Sequence, residues 1–240
     1  MSATSKSPTT LPLGKNDLWI QVTNAIGSLV PLIAEFIRLL PDGVVLGTMI
    51  LSLLSMCKSY GVLLFAMIEI MIIQRLFSTV TGGISPIGSG QNANALVCQP
   101  GFMFPNNMRI SLLETIGSKS YFPSSPMFFI SAVLTYMIAS VQNFKEEIST
   151  LGGNLSTRTT VAMVLSSLFV FVVLAFRHSS GCDSLGILLI STILGIVFGG
   201  AIMFQNKILF GRDGINLLNL PIIISAVETG KPMFVCAPSQ

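Results

Sequence analysis

The sequence is poor in charge. Only 10% of its 240 residues are Asp, Glu, Lys or Arg, against about 25% in an ordinary soluble domain. Mean hydropathy is +0.78, and 51% of the residues are hydrophobic. So few charges cannot coat a water-soluble globule of 25.7 kDa, and so apolar a chain is not a disordered one. A single histidine, His178, excludes any two-histidine metal site. The four cysteines, Cys57, Cys98, Cys182 and Cys236, show no CxxC spacing, which argues against a zinc cage. No run of Lys or Arg tracks a phosphate backbone, and a net charge of +3 gives no reason to expect nucleic acid. Met1 to Lys15 lacks an apolar core followed by a cleavage motif, so a cleaved signal peptide is not expected there. No internal repeat is visible, which counts against an inverted-repeat transporter.

What the sequence has is long apolar runs. Tyr121–Val141, Thr160–Phe176 and Ser184–Phe204 carry no charge. A span needs about 20 apolar residues to cross roughly 30 Å of hydrocarbon. Backbone in lipid must satisfy itself, so these runs are helices. The expected class is all-α, a polytopic helical bundle whose first partner is the lipid bilayer.

Gly43–Ile73 is ambiguous. As one helix it is about 46 Å long, more than the hydrocarbon needs. As a hairpin turning at Lys58-Ser59-Tyr60-Gly61, each arm is short. Charge asymmetry arbitrates. One span here makes four in all. It places Lys6, Lys15, Arg38, Lys145, Arg158, Lys207, Arg212 and Lys231 on one side, opposite Arg75, Arg109, Lys119 and Arg177. A hairpin leaves 7 cations against 6. The positive-inside tendency favours four spans, with both termini on the cytoplasmic side. Before them, Leu18, Val22, Ala25, Leu29, Ile33, Phe36 and Leu40 recur at helical spacing. They predict an amphipathic helix over 18–40, capped at Asn16 or Asp17, kinked at Pro31 and suited by Trp19 to the interface. The resulting divisions are a flexible arm over 1–17, the amphipathic helix, a bundle over 41–206 holding a long loop at 78–120, and a tail over 207–240. The loop is rich in turn formers from Thr81 to Asn94. Loops of that length are commonly functional or ordered by a partner.

Candidate sites are few. Ser191, Gly195 and Gly199 fall four apart in the last run, a spacing that lets helix backbones approach closely. The partner helix lies either within the chain or in a second copy, so a homo-oligomer is open. Glu69 is an acid in an apolar run, costly in lipid and without a relay of further acids or histidines. The expected role is structural, near the interface or paired with a Lys or Arg. Gly82–Gly90 lacks the lysine of a phosphate-binding loop and follows no strand. His178, Ser179, Ser180 and Asp183 are sequence neighbours, which rarely meet as a catalytic triad. No catalytic set, cofactor site or metal site is therefore expected.

Phe122-Pro123-Ser124-Ser125-Pro126 opens one run, Arg177 follows the next and Asp183 opens the last. This layout resembles type 2 phosphatidic acid phosphatases over Tyr121 to Ala201. In that family a Pro-Ser-Gly-His motif begins a helix, and an Arg…His…Asp motif lies between two later ones. Pro126 stands where the first histidine belongs. His178 adjoins Arg177 instead of following it at a distance. The resemblance therefore implies a degenerate, inactive relative. A multipass protein with Ser/Gly/Asn-rich loops and no catalytic set also resembles, in overall style, the membrane and minor capsid proteins of large icosahedral double-stranded DNA viruses. That resemblance implies a structural role at the virion inner membrane, among other subunits of a large assembly. An accessory subunit of a respiratory or photosynthetic complex in an organelle membrane has the same style.

In the four-span arrangement Cys98 and Cys182 share the side poor in positive charge, and they are expected to bond if that side is oxidising. Asn154-Leu-Ser156 lies on the opposite side and is expected to carry no glycan.

Overall fold

The computed structural model describes residues 15–81, 98–103, 109–117, 122–150 and 153–218. The N-terminal arm, the glycine-rich stretch from Gly82 and the tail beyond Leu218 lie outside the described residues, as do the side chains of Trp19, Asn154 and Ser156. Residues 1–36 form one unit, and residues 37–240 form a second.

The described residues are helical nearly throughout. Helix α1 runs Lys15–Ser55 and α2 runs Lys58–Thr81. A two-stranded antiparallel ladder follows, β1 (Phe102–Met103) against β2 (Arg109–Ile110). Next come the short α3 (Leu112–Ile116), α4 (Ser125–Gln142), α5 (Lys145–Thr150), α6 (Gly153–Ser179) and α7 (Leu185–Gly214). Five of these are long and apolar enough to cross a membrane, at Pro31–Ser55, Lys58–Thr81, Ser125–Gln142, Thr159–Ser179 and Leu185–Gly214. The chain is therefore built as an integral membrane protein.

The described residues hold five candidate spans where four were expected. Gly43–Ile73 is a hairpin. Its turn falls at Met56-Cys57, just before the predicted tetrapeptide, and Met56 adopts a left-handed φ of 50°. Gly61 packs against Ser52, with room for 3.6 Å between a Cβ there and the serine oxygen. The first arm is longer than Gly43–Ser55: α1 is continuous from Lys15, and the apolar stretch described in it, Pro31–Ser55, includes residues expected to lie on the surface in an amphipathic helix. Charge asymmetry favoured a single crossing, and the helix break between Ser55 and Lys58 overrides it. The tail expected from residue 207 is helical as far as Gly214, although Gly211 interrupts the helix with a φ of 75°.

Contacts across helix ends define two faces. At one end, Lys58 Nζ donates to the Phe210 carbonyl at 3.3 Å, and Ser59 Oγ to the Asp213 carbonyl at 3.1 Å. Lys207 Nζ reaches Asn143 Oδ1 at 2.7 Å, and Arg212 donates to the Asn143 carbonyl while lying over the Phe144 ring. This is the turn face. At the other end, Gln74 of α2 bonds Ser125 at the start of α4, and the ladder and α3 lie nearby. This is the loop face.

The core is centred on α4 between α2 and α7. Ala66, Met67, Ile70 and Met71 pack with Phe128, Phe129, Ala132, Val133, Tyr136 and Ile202. A second cluster joins Ile37, Met127, Ile130, Val173 and Leu188. Helix α6 buries little of its apolar length against the protein and leaves Val164, Leu168 and Phe171 exposed, as a lipid-facing helix does.

The stripe Ser191, Gly195, Gly199 faces α4 within the chain. A Cβ at Gly199 would meet the Ala132 backbone carbonyl oxygen, and one at Gly195 would meet Ser131 Oγ and, at 2.6 Å, the Phe128 carbonyl. Gly200 has nothing within 4 Å and does not widen that groove. Gly199→Val is therefore expected to destabilise the bundle by about 3 kcal/mol or more, because overpacking here meets backbone that cannot yield. Gly200→Ala is expected to be close to neutral. Unfolding in mild detergent compares the two. Topology is checked independently, since no cysteine is free among the described residues. Met56→Cys and Asp213→Cys are expected to react with an impermeant maleimide from one face, and Ser180→Cys from the other. A single crossing over 43–73 would leave position 56 unreactive within the hydrocarbon.

Candidate functional site

The densest polar arrangement lies at the loop face, and it is assembled from four separate stretches of chain. Ser124 precedes α4, Arg177 ends α6, Asp183 precedes α7 and Cys98 belongs to the loop after α2. Arg177 Nε and NH2 both donate to Asp183 Oδ2, at 3.0 and 2.7 Å. Ser124 Oγ donates to the same oxygen at 2.8 Å. The Ser124 backbone N–H donates to Ser191 Oγ at 2.7 Å, and Arg177 NH1 donates to the Cys98 carbonyl at 3.3 Å. Cys98 and Cys182 are disulfide-bonded, with Cα atoms 5.2 Å apart. Cys57, at the turn face, is also in a disulfide.

Local sequence explains these positions. Helix α6 ends at Ser179, and Gly181, with φ of 69°, reverses the chain within a five-residue turn. That reversal places Asp183 back beside Arg177. Pro126 in the first turn of α4 occupies a position where a missing N–H costs nothing. It leaves Ser124 just outside the helix, facing α7.

A second tie lies beside this clamp. Asp42, fully buried in α1, accepts a hydrogen bond from the Leu113 N–H at 2.9 Å. Ser111 caps the same short helix by accepting from Glu114 N–H at 3.2 Å, which leaves Glu114 placed to pair with Arg109. Gly117 closes α3 against Gln74, where a Cβ would lie 2.7 Å from the amide oxygen. Sequence reasoning missed Asp42 and Gln74. Both are single polar residues at the edges of apolar runs, and their partners are distant in sequence.

The arrangement ties its groups to one another. Ser124 donates its proton to a carboxylate that is already paired with a guanidinium, and Arg177 and Asp183 keep only 9% and 7% of their side-chain surface exposed. His178 is exposed and makes no part of the cluster. Among the described residues no group of three or more His, Cys, Asp and Glu side chains comes together as metal ligands.

Glu69 lies elsewhere, in the middle of α2. Its partner is not the lysine or arginine expected. Oε1 accepts from the neutral Gln205 amide of α7 at 2.9 Å.

No family model, curated protein or solved structure matches the chain.

Asp183→Asn is expected to cost about 3–5 kcal/mol, because it leaves the Arg177 charge buried without its counter-ion. Ser124→Ala removes one hydrogen bond to a charged group and is expected to cost about 2 kcal/mol. Cys98→Ser is expected to cost about 4 kcal/mol, since the bond closes a loop of 84 residues. Thermal unfolding of the three variants in one detergent checks the order.

Proposed function

We propose that the chain is a structural membrane protein that anchors or organises a larger assembly at a bilayer, and is not an enzyme. The observation that carries this reading is the saturated clamp at the loop face. Arginine, aspartate, serine and a disulfide are all spent on fastening the loop to the starts of α4 and α7. The ladder, α3 and the clamp together make a tied platform at the loop end of an apolar bundle. A platform of that kind suits a fixed partner, which binds a preorganised surface without the cost of ordering it. The membrane beneath an icosahedral viral capsid is the setting that the sequence resemblance suggests, and other protein subunits are the partners proposed.

One observation favours a second reading. Ser124, Arg177 and Asp183, which carry the phosphatase-like layout, do come together. A lipid-phosphate enzyme is therefore the alternative, although its histidines are missing and the guanidinium is already engaged by Asp183.

The two readings separate in one preparation. The full chain is solubilised from its native membrane in mild detergent, cross-linked and sized, and the same fraction is offered phosphatidic acid. The scaffold reading expects co-migration with other subunits in a large particle, cross-links from the 98–117 platform, and no phosphate release. A monodisperse single chain that releases phosphate, and loses that activity in Ser124→Ala, would instead establish the alternative.

A further inference from the structure

The last turns of α7, on the turn face, carry cations that neither the clamp nor the core uses. Lys207 Nζ donates to Asn143 Oδ1 at 2.7 Å, and Arg212 donates to the carbonyl of the same asparagine at 2.9 Å. On an unbroken helix these two side chains stand about 140° apart. Gly211 interrupts α7 between them with a φ of 75°, a backbone state that favours glycine, and Arg212 beyond the break reaches the residue that Lys207 already holds. Its guanidinium lies 5.2 Å from the centre of the Phe144 ring. A neutral asparagine bonds two cations without cancelling their repulsion. Among the described side chains at this end, Lys58, Lys145, Lys207 and Arg212 stand against Glu146 and Asp213, four cations to two acids.

Depth and surroundings name the missing anion. Lys207 is about 33 Å along α7 from Leu185, at the far edge of roughly 30 Å of hydrocarbon. Phosphates of lipid headgroups lie at that level. Beneath Lys207 the same flank of α7 is apolar and open. Ile193, Ile196, Gly200 and Phe204 precede it at three- and four-residue spacing and so share its face. The two isoleucines and Phe204 are exposed, and a Cβ at Gly200 would meet nothing within 4 Å. This face lies about 100° round the helix from Gly199, whose side is filled by the α4 backbone. From Ile196 to Lys207 is about 16 Å, close to the depth of one leaflet. Capping alone accounts for less. It uses one of the several donors of Lys207, and it requires neither a second cation at the same asparagine nor an open apolar face beneath the pair.

We propose that this flank of α7 is a seat for one anionic phospholipid of the turn-face leaflet. Its phosphate lies on Lys207 and Arg212, and an acyl chain runs along Phe204, Gly200 and Ile196. A net negative headgroup is preferred over a zwitterionic one, because choline brings a cation of its own to a site that already holds two. The seat requires only the membrane bundle and does not depend on the scaffold reading.

The test uses the full chain in mild detergent, with lipid retention read by native mass spectrometry. Phosphatidylglycerol, phosphatidylcholine and inorganic phosphate are the probes. One phosphatidylglycerol is expected to stay on each chain, held about tenfold more tightly than phosphatidylcholine. That preference is expected to shrink as sodium chloride is raised, a readout that needs no variant. The double variant Lys207→Gln, Arg212→Gln is expected to lose the preference. Arg75→Gln, an exposed cation near the other end of α2, is expected to keep it. Gly200→Leu fills the open dip without touching the core, and is expected to weaken retention of both lipids while leaving their order unchanged. Equal retention of the two lipids by the unaltered chain would overturn the seat. So would a preference that survives the double variant, an equal loss in Arg75→Gln, or displacement of the lipid by inorganic phosphate. Undiminished retention in Gly200→Leu would remove the acyl path.

Discussion

Two apolar helices in lipid have no hydrophobic reason to meet, because the lipid tails are as apolar as they are. A bundle therefore holds where backbones come close enough for dispersion and where polar groups find each other. In this chain the contact that does both is α4 against α7. Gly195 and Gly199 remove the side chains that would keep the helices apart, and the α7 backbone settles against Phe128 and Ala132. Once that distance is set, Ser191 lies where it can accept from the Ser124 N–H, and Ser124 lies where it can reach Asp183. The clamp is thus a consequence of close helix packing as much as of its own charges.

The remaining elements are arranged around that pair. Helix α2 packs on both α4 and α7 through Ala66, Met67 and Ile70. Its ends are tied by polar contacts, to Phe210 and Asp213 on the turn face and to Ser125 on the loop face. Helix α6 is different. It touches the bundle chiefly near Val173 and Arg177, and most of its length is turned outward. An ion pair at one end of such a helix fixes it where dispersion contacts are sparse. That division between a packed α2–α4–α7 core and a loosely packed α6 explains why the strongest side-chain interactions gather at Arg177.

The platform on the loop face follows from the same economy. A short helix of five residues and a ladder of two pairs have little stability of their own. They persist because Asp42 and Ser111 satisfy the first amides of α3, Arg109 pairs with Glu114, and Leu113 is fully buried. A disulfide then ties Cys98, ahead of β1, to Cys182 in the turn before α7. Each tie joins a residue of the platform to a spanning helix or to another residue of the platform.

The sequence by itself determined the solvent. Charge so scarce and apolar runs so long leave no alternative to a helical membrane bundle, because composition acts through burial and burial does not depend on the order of contacts. It also determined the close-packing stripe at Ser191, Gly195 and Gly199, since a four-residue repeat defines a helix face whatever that face meets. It did not determine the number of crossings. That depended on whether a turn at Met56-Cys57 was allowed and on where α1 enters the hydrocarbon, and a stretch amphipathic enough for the surface is also apolar enough to span. Nor did it determine the partners of single polar residues. Glu69 found an amide instead of a cation, Asp42 found a backbone N–H far along the chain, and Ser124, Arg177 and Asp183 met through three different helices. Such pairings are long-range, and one buried carboxylate has the same sequence signature whether its partner is an arginine, an amide or a backbone N–H. Only the packing of α2, α4 and α7 decides which of them is within 3 Å.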